Sequence, residues 1–171
     1  MNQSGQAYSV FKLLIAAIIA VAILYILISI IGGINIFGSD VQTVAKQIIQ
    51  KQVDMPGQLD TSTAAVFKSG TNLAPSALVG NSGLTPEQIC LHKGELVDNI
   101  AVTVTGSTLM QNGTTDLTVK ISVMCHKADA LQAAIDEVGL TTVDLDDVSA
   151  GSCGCDLTTT QKCCVVILRF A

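Results

Sequence analysis

The sequence predicts an α+β protein: a long hydrophobic amino-terminal helix, or stalk, followed by a small, β-rich, disulfide-bearing globular head. Three observations predict it. Residues 13–31 carry no charge, and their only polar side chains are Tyr25 and Ser29. Two later segments, Ile100–Thr105 and Leu117–Val123, alternate apolar and polar residues at the period of a half-buried strand. All six cysteines, Cys90, Cys125, Cys153, Cys155, Cys163 and Cys164, follow the apolar stretch. The expected divisions are a leader over 1–5, a hydrophobic-to-amphipathic helix over 6–55 and the head over 56–171.

Charged residues make up 13% of the chain against roughly 25% in ordinary soluble domains, while 49% is hydrophobic. The deficit lies at the front, where Val10 to Phe37 holds one charge, Lys12. A bilayer core of about 30 Å needs about 20 apolar helical residues, so this run is long enough to insert in a membrane. Gly32-Gly33 marks a place where the helix can kink. Beyond it Val41, Val44, Ala45, Ile48, Ile49 and Val53 recur at helical spacing, with Gln42, Lys46, Gln50 and Lys51 between them. The hydrophobic helix is therefore expected to continue into an amphipathic one that ends at Met55-Pro56-Gly57. Lys12 and the amino terminus favour the inner side and Asp40 begins the other flank, and the cysteines after the apolar run place the head outside.

Residues 58–83, rich in Ser, Thr, Gly, Ala and Asn, read as loop with a short turn of helix. Thr85-Pro86-Glu87-Gln88 forms a capping box with proline at the first helical position, which predicts a short helix to about Leu91 carrying Cys90. Asn112-Gly113 between the two alternating runs is a strong hairpin signal, because both residues tolerate positive φ. Asp129 to Val138 reads as a helix stopped by Gly139. Thr141 to Leu145 reads as a strand. Cys163 to Phe170 is almost continuously apolar and predicts a strand covered on both faces.

An even set of cysteines on one side of an apolar segment reads as a disulfide framework in an oxidising compartment. Cys163 and Cys164 are adjacent on a strand, point to opposite faces and so do not bond each other. The favoured pairing is Cys90 with Cys125, and Cys153 and Cys155 with Cys163 and Cys164 in some order. A zinc site using these cysteines and His126 is the rival, although Cys-x-Cys and Cys-Cys lack the usual two-residue spacing.

No metal or cofactor is expected, and no catalytic residues. His92 and His126 sit in no nucleophile or zinc-protease setting. Asp144, Asp146 and Asp147 could hold Ca²⁺ but lack the glycine turn and bidentate Glu of a loop site, and read as a solvated acidic turn. Asn112-Gly113-Thr114 is a glycosylation sequon as well as good turn chemistry. A net charge of −5 with no Lys/Arg cluster argues against nucleic acid, and four Phe, two Tyr and no Trp offer few stacking platforms.

Gly5-Gln6-Ala7-Tyr8-Ser9-Val10-Phe11, running straight into the apolar helix ahead of a cysteine-bearing head, resembles the start of a type IV pilin, particularly the archaeal kind. The resemblance covers about the first 50 residues by pattern and the head by architecture. It implies a cut between Gly5 and Gln6 by a prepilin peptidase-like enzyme, residence in the membrane before assembly, and a helical homopolymer of identical subunits outside the cell. Two features depart from the family pattern: Met1 to Gly5 holds no Lys or Arg, and Val10 stands where many members have Glu.

The resulting expectation is a structural filament subunit for adhesion, aggregation or motility, not an enzyme. Phe11, Leu14, Ala17, Ala20, Leu24, Leu27 and Ile31 would carry assembly, with Ala16, Ala17, Ala20 and Ala22 allowing close helix packing. The alternative is a single-pass, signal-anchored surface binding protein that does not polymerise.

Overall fold

The computed structural model describes residues 15–24, 40–96, 101–147 and 151–171. The chain forms two compact units, Met1–Phe37 and Gly38–Ala171. In the first, α1 (15–24) is helical and every one of its residues is exposed. The described part of α1, ten residues at 1.5 Å each, is about 15 Å long, half the thickness of a hydrocarbon core. Among the described residues no helix is long and apolar enough to cross a membrane. The expectation of one long apolar stalk is thereby corrected.

The expected continuation into residue 55 is corrected as well. Asp40 has φ −56° and ψ 137°, an extended conformation, and its backbone bridges in parallel to Val66. A helix passing through this position would need ψ near −42°. The amphipathic helix α2 (Val41–Gln52) therefore starts afresh inside the second unit. Val41, Ala45 and Ile49 are buried at a spacing of four, and Gly57, at φ +79°, turns the chain after it.

The strands are β1 (Leu59–Thr61), β2 (Ala65–Phe67), β3 (Asn72–Leu73), β4 (Ile89–His92), β5 (Val102–Thr105), β6 (Thr108–Gln111), β7 (Leu117–Lys127), β8 (Gly151–Ser152) and β9 (Lys162–Phe170). Two further helices are α3 (Pro75–Leu78) and α4 (Ala128–Glu137). The larger sheet has the order β1-β7-β9-β4-β8, with β2 beside β7 on the same edge as β1. Strands β7 and β9 run antiparallel over nine residue pairs, whereas β9 and β4 are parallel. A second, antiparallel sheet has the order β3-β6-β5.

Alternation along β4, β7 and β9 divides the core between the two faces of the large sheet. Ile89, Leu91, Val119, Ile121, Val123, Val166 and Leu168 pack on one face with α2 and with Leu73, Val102 and Leu109 of the small sheet. Cys90, Met124, Cys163, Val165 and Ile167 pack on the other with Ala128, Leu131 and Ile135 of α4. β9 is central and buried on both faces, as its sequence predicts.

Several local expectations change. Residues 58–83, read as loop with a turn of helix, contain three strands besides the short helix α3. Ser62 joins two of them: its N–H donates to the Ile121 carbonyl at 2.8 Å, and its hydroxyl accepts from the Ile121 N–H at 2.9 Å. The hairpin is not the one that Asn112-Gly113 suggested. β5 returns directly into β6, and pairing of Thr105 with Thr108 leaves a two-residue turn, Gly106-Ser107, with Gly106 at φ +58°. Asn112-Gly113 instead carries the chain from the small sheet to the large one, with neither residue at positive φ.

The capping box at Thr85 does form, its N–H donating to Gln88 Oε1 at 2.8 Å, but it starts only a single 3₁₀ turn. Cys90 is consequently on a strand. Thr141–Leu145 is not a strand. Gln132 of α4 takes the place of a strand neighbour: its Nε2 donates to the Val143 carbonyl at 2.9 Å, and its Oε1 accepts from the Leu145 N–H at 3.0 Å.

Candidate functional site: a disulfide corner and an exposed apolar helix

Cysteines placed on neighbouring strands converge on the face covered by α4. Cys90 on β4 pairs with Val165 of β9, which puts Cys163, two residues earlier, on the same face. The segment Cys153-Gly154-Cys155 lies over both strands and is bonded to each, through Cys90–Cys153 and Cys155–Cys163. Gly154 is required there, because a Cβ would come within 2.8 Å of the Glu87 carbonyl oxygen and 2.9 Å of its Cα. The Sγ atoms of Cys90, Cys153 and Cys155 all lie within 4.8 Å of one another.

The third bond, Cys125–Cys164, is on the opposite face, between residues directly paired across β7 and β9. Cys163 and Cys164 thus do point to opposite sides and bond different partners. The expected Cys90–Cys125 bond is corrected. β9 lies between β4 and β7, and the two side chains belong to opposite faces of the sheet. The zinc alternative loses its ligands in this state, since no described cysteine is free and disulfide sulfurs are not thiolates. Three disulfides in one small unit indicate an oxidising, extracellular-type environment.

His92 is buried beside this corner, and its Nδ1 accepts the Gly94 N–H at 2.8 Å. Burial pushes its pKa below 6.5, opposed by the charge of Asp147 and by the backbone and charge of Asp144, and aided by Lys93. The folded protein therefore resists taking up a proton that the unfolded chain accepts. Stability is expected to be full above about pH 6.5 and to fall as the pH drops below it, by at most about 1.4 kcal/mol per unit. Urea unfolding at pH 7.5 and pH 5.5 measures this, and a His92→Gln chain should lose the difference.

Asp144, Asp146 and Asp147 form a turn held by its own members, the Asp146 N–H donating to Asp144 Oδ1 at 2.9 Å. That supports the solvated acidic turn. His126 is half-buried, with its ring against Gly57. Asn112 is exposed, and its Nδ2 donates to Thr103 Oγ1 at 2.7 Å. A cleft of about 200 Å³ opens next to Gly154, between Pro75, Glu87, Ile89 and Ser107. Among the described residues Glu87 is the single ionisable group on its walls, and acid–base chemistry uses paired groups.

Of the assembly residues, Ala17, Ala20 and Leu24 lie on α1 and are exposed. Phe11, Leu14, Leu27 and Ile31 lie outside the described residues, as do Gly5 and Gln6 at the expected cut. Around α1, Ile15, Ile18, Ile19, Val21, Ile23 and Leu24 are each more than two-fifths exposed. Such an all-round apolar surface is not the amphipathic pattern of a helix lying on a core. No protein-family model, curated protein or solved structure matches the chain.

Proposed function

We propose that the protein is a structural subunit of an extracellular filament, joined to identical copies through its apolar amino-terminal segment. The observation that carries this reading is α1, apolar on every side and exposed along its whole length in the single chain. Removing that surface from water is worth about 25 cal/mol per Å², so a stable state must cover it. The second unit has its own closed core, which needs no help from this segment.

Copies of the chain suit the cover better than lipid does. Ala16, Ala17, Ala20 and Ala22 leave space for backbones to approach closely, and close packing is what binds apolar helices once all surroundings are apolar. Before assembly the same segment would hold the subunit at the membrane, where a prepilin peptidase-like enzyme could process it after Gly5. The disulfide-bonded unit would stand outside, its bonds resisting unfolding. The role is adhesion, aggregation or motility through assembly, with no catalytic step.

The test is removal of detergent from the purified full chain, then sedimentation. Ordered polymers should pellet while free subunits remain in the supernatant. A chain that stays monomeric once detergent is gone would favour an anchored surface protein instead.

A further inference from the structure

We infer that the Cys90–Cys153 bond is a thiol–disulfide exchange site, open to a dithiol at Cys153 and coupled to the neighbouring bond through Cys155. Exposure decides where a dithiol attacks. Cys153 is half-buried, whereas Cys155 is 8% exposed, Cys90 1%, and Cys163, Cys125 and Cys164 0%. Proximity decides which sulfur reacts second, because Cys90, Cys153 and Cys155 hold their sulfurs within 4.8 Å of one another. Exchange requires a thiolate next to a disulfide sulfur, and opening either bond creates that arrangement here.

The steps balance without a further reactant. One thiolate of the dithiol bonds Cys153 Sγ, the Cys90–Cys153 bond breaks, and Cys90 leaves as a thiolate. Cys90 then bonds Cys155 Sγ, and Cys163 is released and takes up a proton. The second thiol of the dithiol displaces Cys153 from the mixed disulfide. The dithiol ends as a disulfide, and its two electrons and two protons appear as thiols on Cys153 and Cys163, beside a new Cys90–Cys155 bond.

Each arrangement leaves one buried thiol, Cys90 or Cys163, and a buried thiol behaves as a small apolar group. Neither arrangement is strongly preferred on that ground, so both are populated. The Cys125–Cys164 bond lies on the other face of the sheet and takes no part. Gly154 lets the short segment lie against the Glu87 backbone just ahead of β4, where its two cysteines compete for one partner.

A Cys153→Ser chain tests this without any reductant, because it leaves Cys90 as a thiol beside the intact Cys155–Cys163 bond. The purified oxidised chain is acid-quenched, denatured, alkylated with a maleimide and mapped by mass spectrometry. Label is expected on both Cys90 and Cys163, the two amounts within about tenfold of each other. Label confined to Cys90 overturns the coupling.

The unaltered chain with one equivalent of dithiothreitol gives an independent reading. Thiols should appear at Cys153 together with Cys90 and Cys163, and none at Cys125 or Cys164. First label at Cys125 or Cys164, label on Cys155, or no label on Cys163 each contradicts the inference.

Discussion

A chain carrying Cys125→Ala and Cys164→Ala is expected to lose about 4 kcal/mol of stability, the entropy of closing a loop of that size in the unfolded chain. The two residues are 39 apart in sequence, and the loop they close contains α4 and the acidic turn. Both side chains are fully buried, so loss of the sulfurs also removes packing between the sheet and α2. The β7–β9 register does not depend on the bond, since nine backbone pairs fix it. The folded state should thus keep its shape and lose mainly the advantage conferred on it by a restricted unfolded state. Small domains have roughly 5–15 kcal/mol in total, so the change is large. Urea unfolding of the oxidised variant measures it. By the same estimate the Cys155–Cys163 bond, with a separation of 8, contributes about 2.5 kcal/mol. A loss well under 1 kcal/mol for the Cys125/Cys164 variant would mean that β7 and β9 stay associated when the protein unfolds.

Ala17→Trp combined with Ala20→Trp is expected to abolish assembly while leaving the second unit untouched. The two positions are three apart on α1 and share one side of the helix, with Leu24 four further on. Small side chains allow helix backbones to approach, and two indoles on that side would hold neighbouring copies apart. The concentration needed for pelleting after detergent removal should rise about tenfold or more, equivalent to about 1.4 kcal/mol per added subunit. The urea midpoint should not move, because no residue of the second unit's core is altered. That second readout separates a failure of assembly from a failure of folding.

Much of the second unit was legible wherever a pattern is local. The spacing of Val41, Ala45 and Ile49 found α2, Leu131 and Ile135 with Gly139 found α4, and the apolar run from Cys163 found the central strand. What escaped depends on partners far away in sequence. β1, β2 and β3 are two or three residues long and exist because β7 or β6 lies beside them, although Ala65-Val66-Phe67 carried a faint strand signal. The β5–β6 hairpin turns at Gly106-Ser107, whereas Asn112-Gly113 is the stronger local turn signal and misplaced the strand pairing. At Asp40 the backbone is extended and bridges to Val66, a contact distant in sequence that composition does not show. The disulfide corner was legible as a cluster but not as a map. Pairing Cys90 with Cys153 requires knowing that β9 comes between β4 and β7, a matter of topology and not of spacing.

The exposed apolar segment is the feature on which the filament reading rests, and negative-stain electron microscopy of the full chain after detergent removal addresses it most directly. Fibres of uniform width are the expected result. Separate particles the size of one subunit, stable without detergent or lipid, would contradict it.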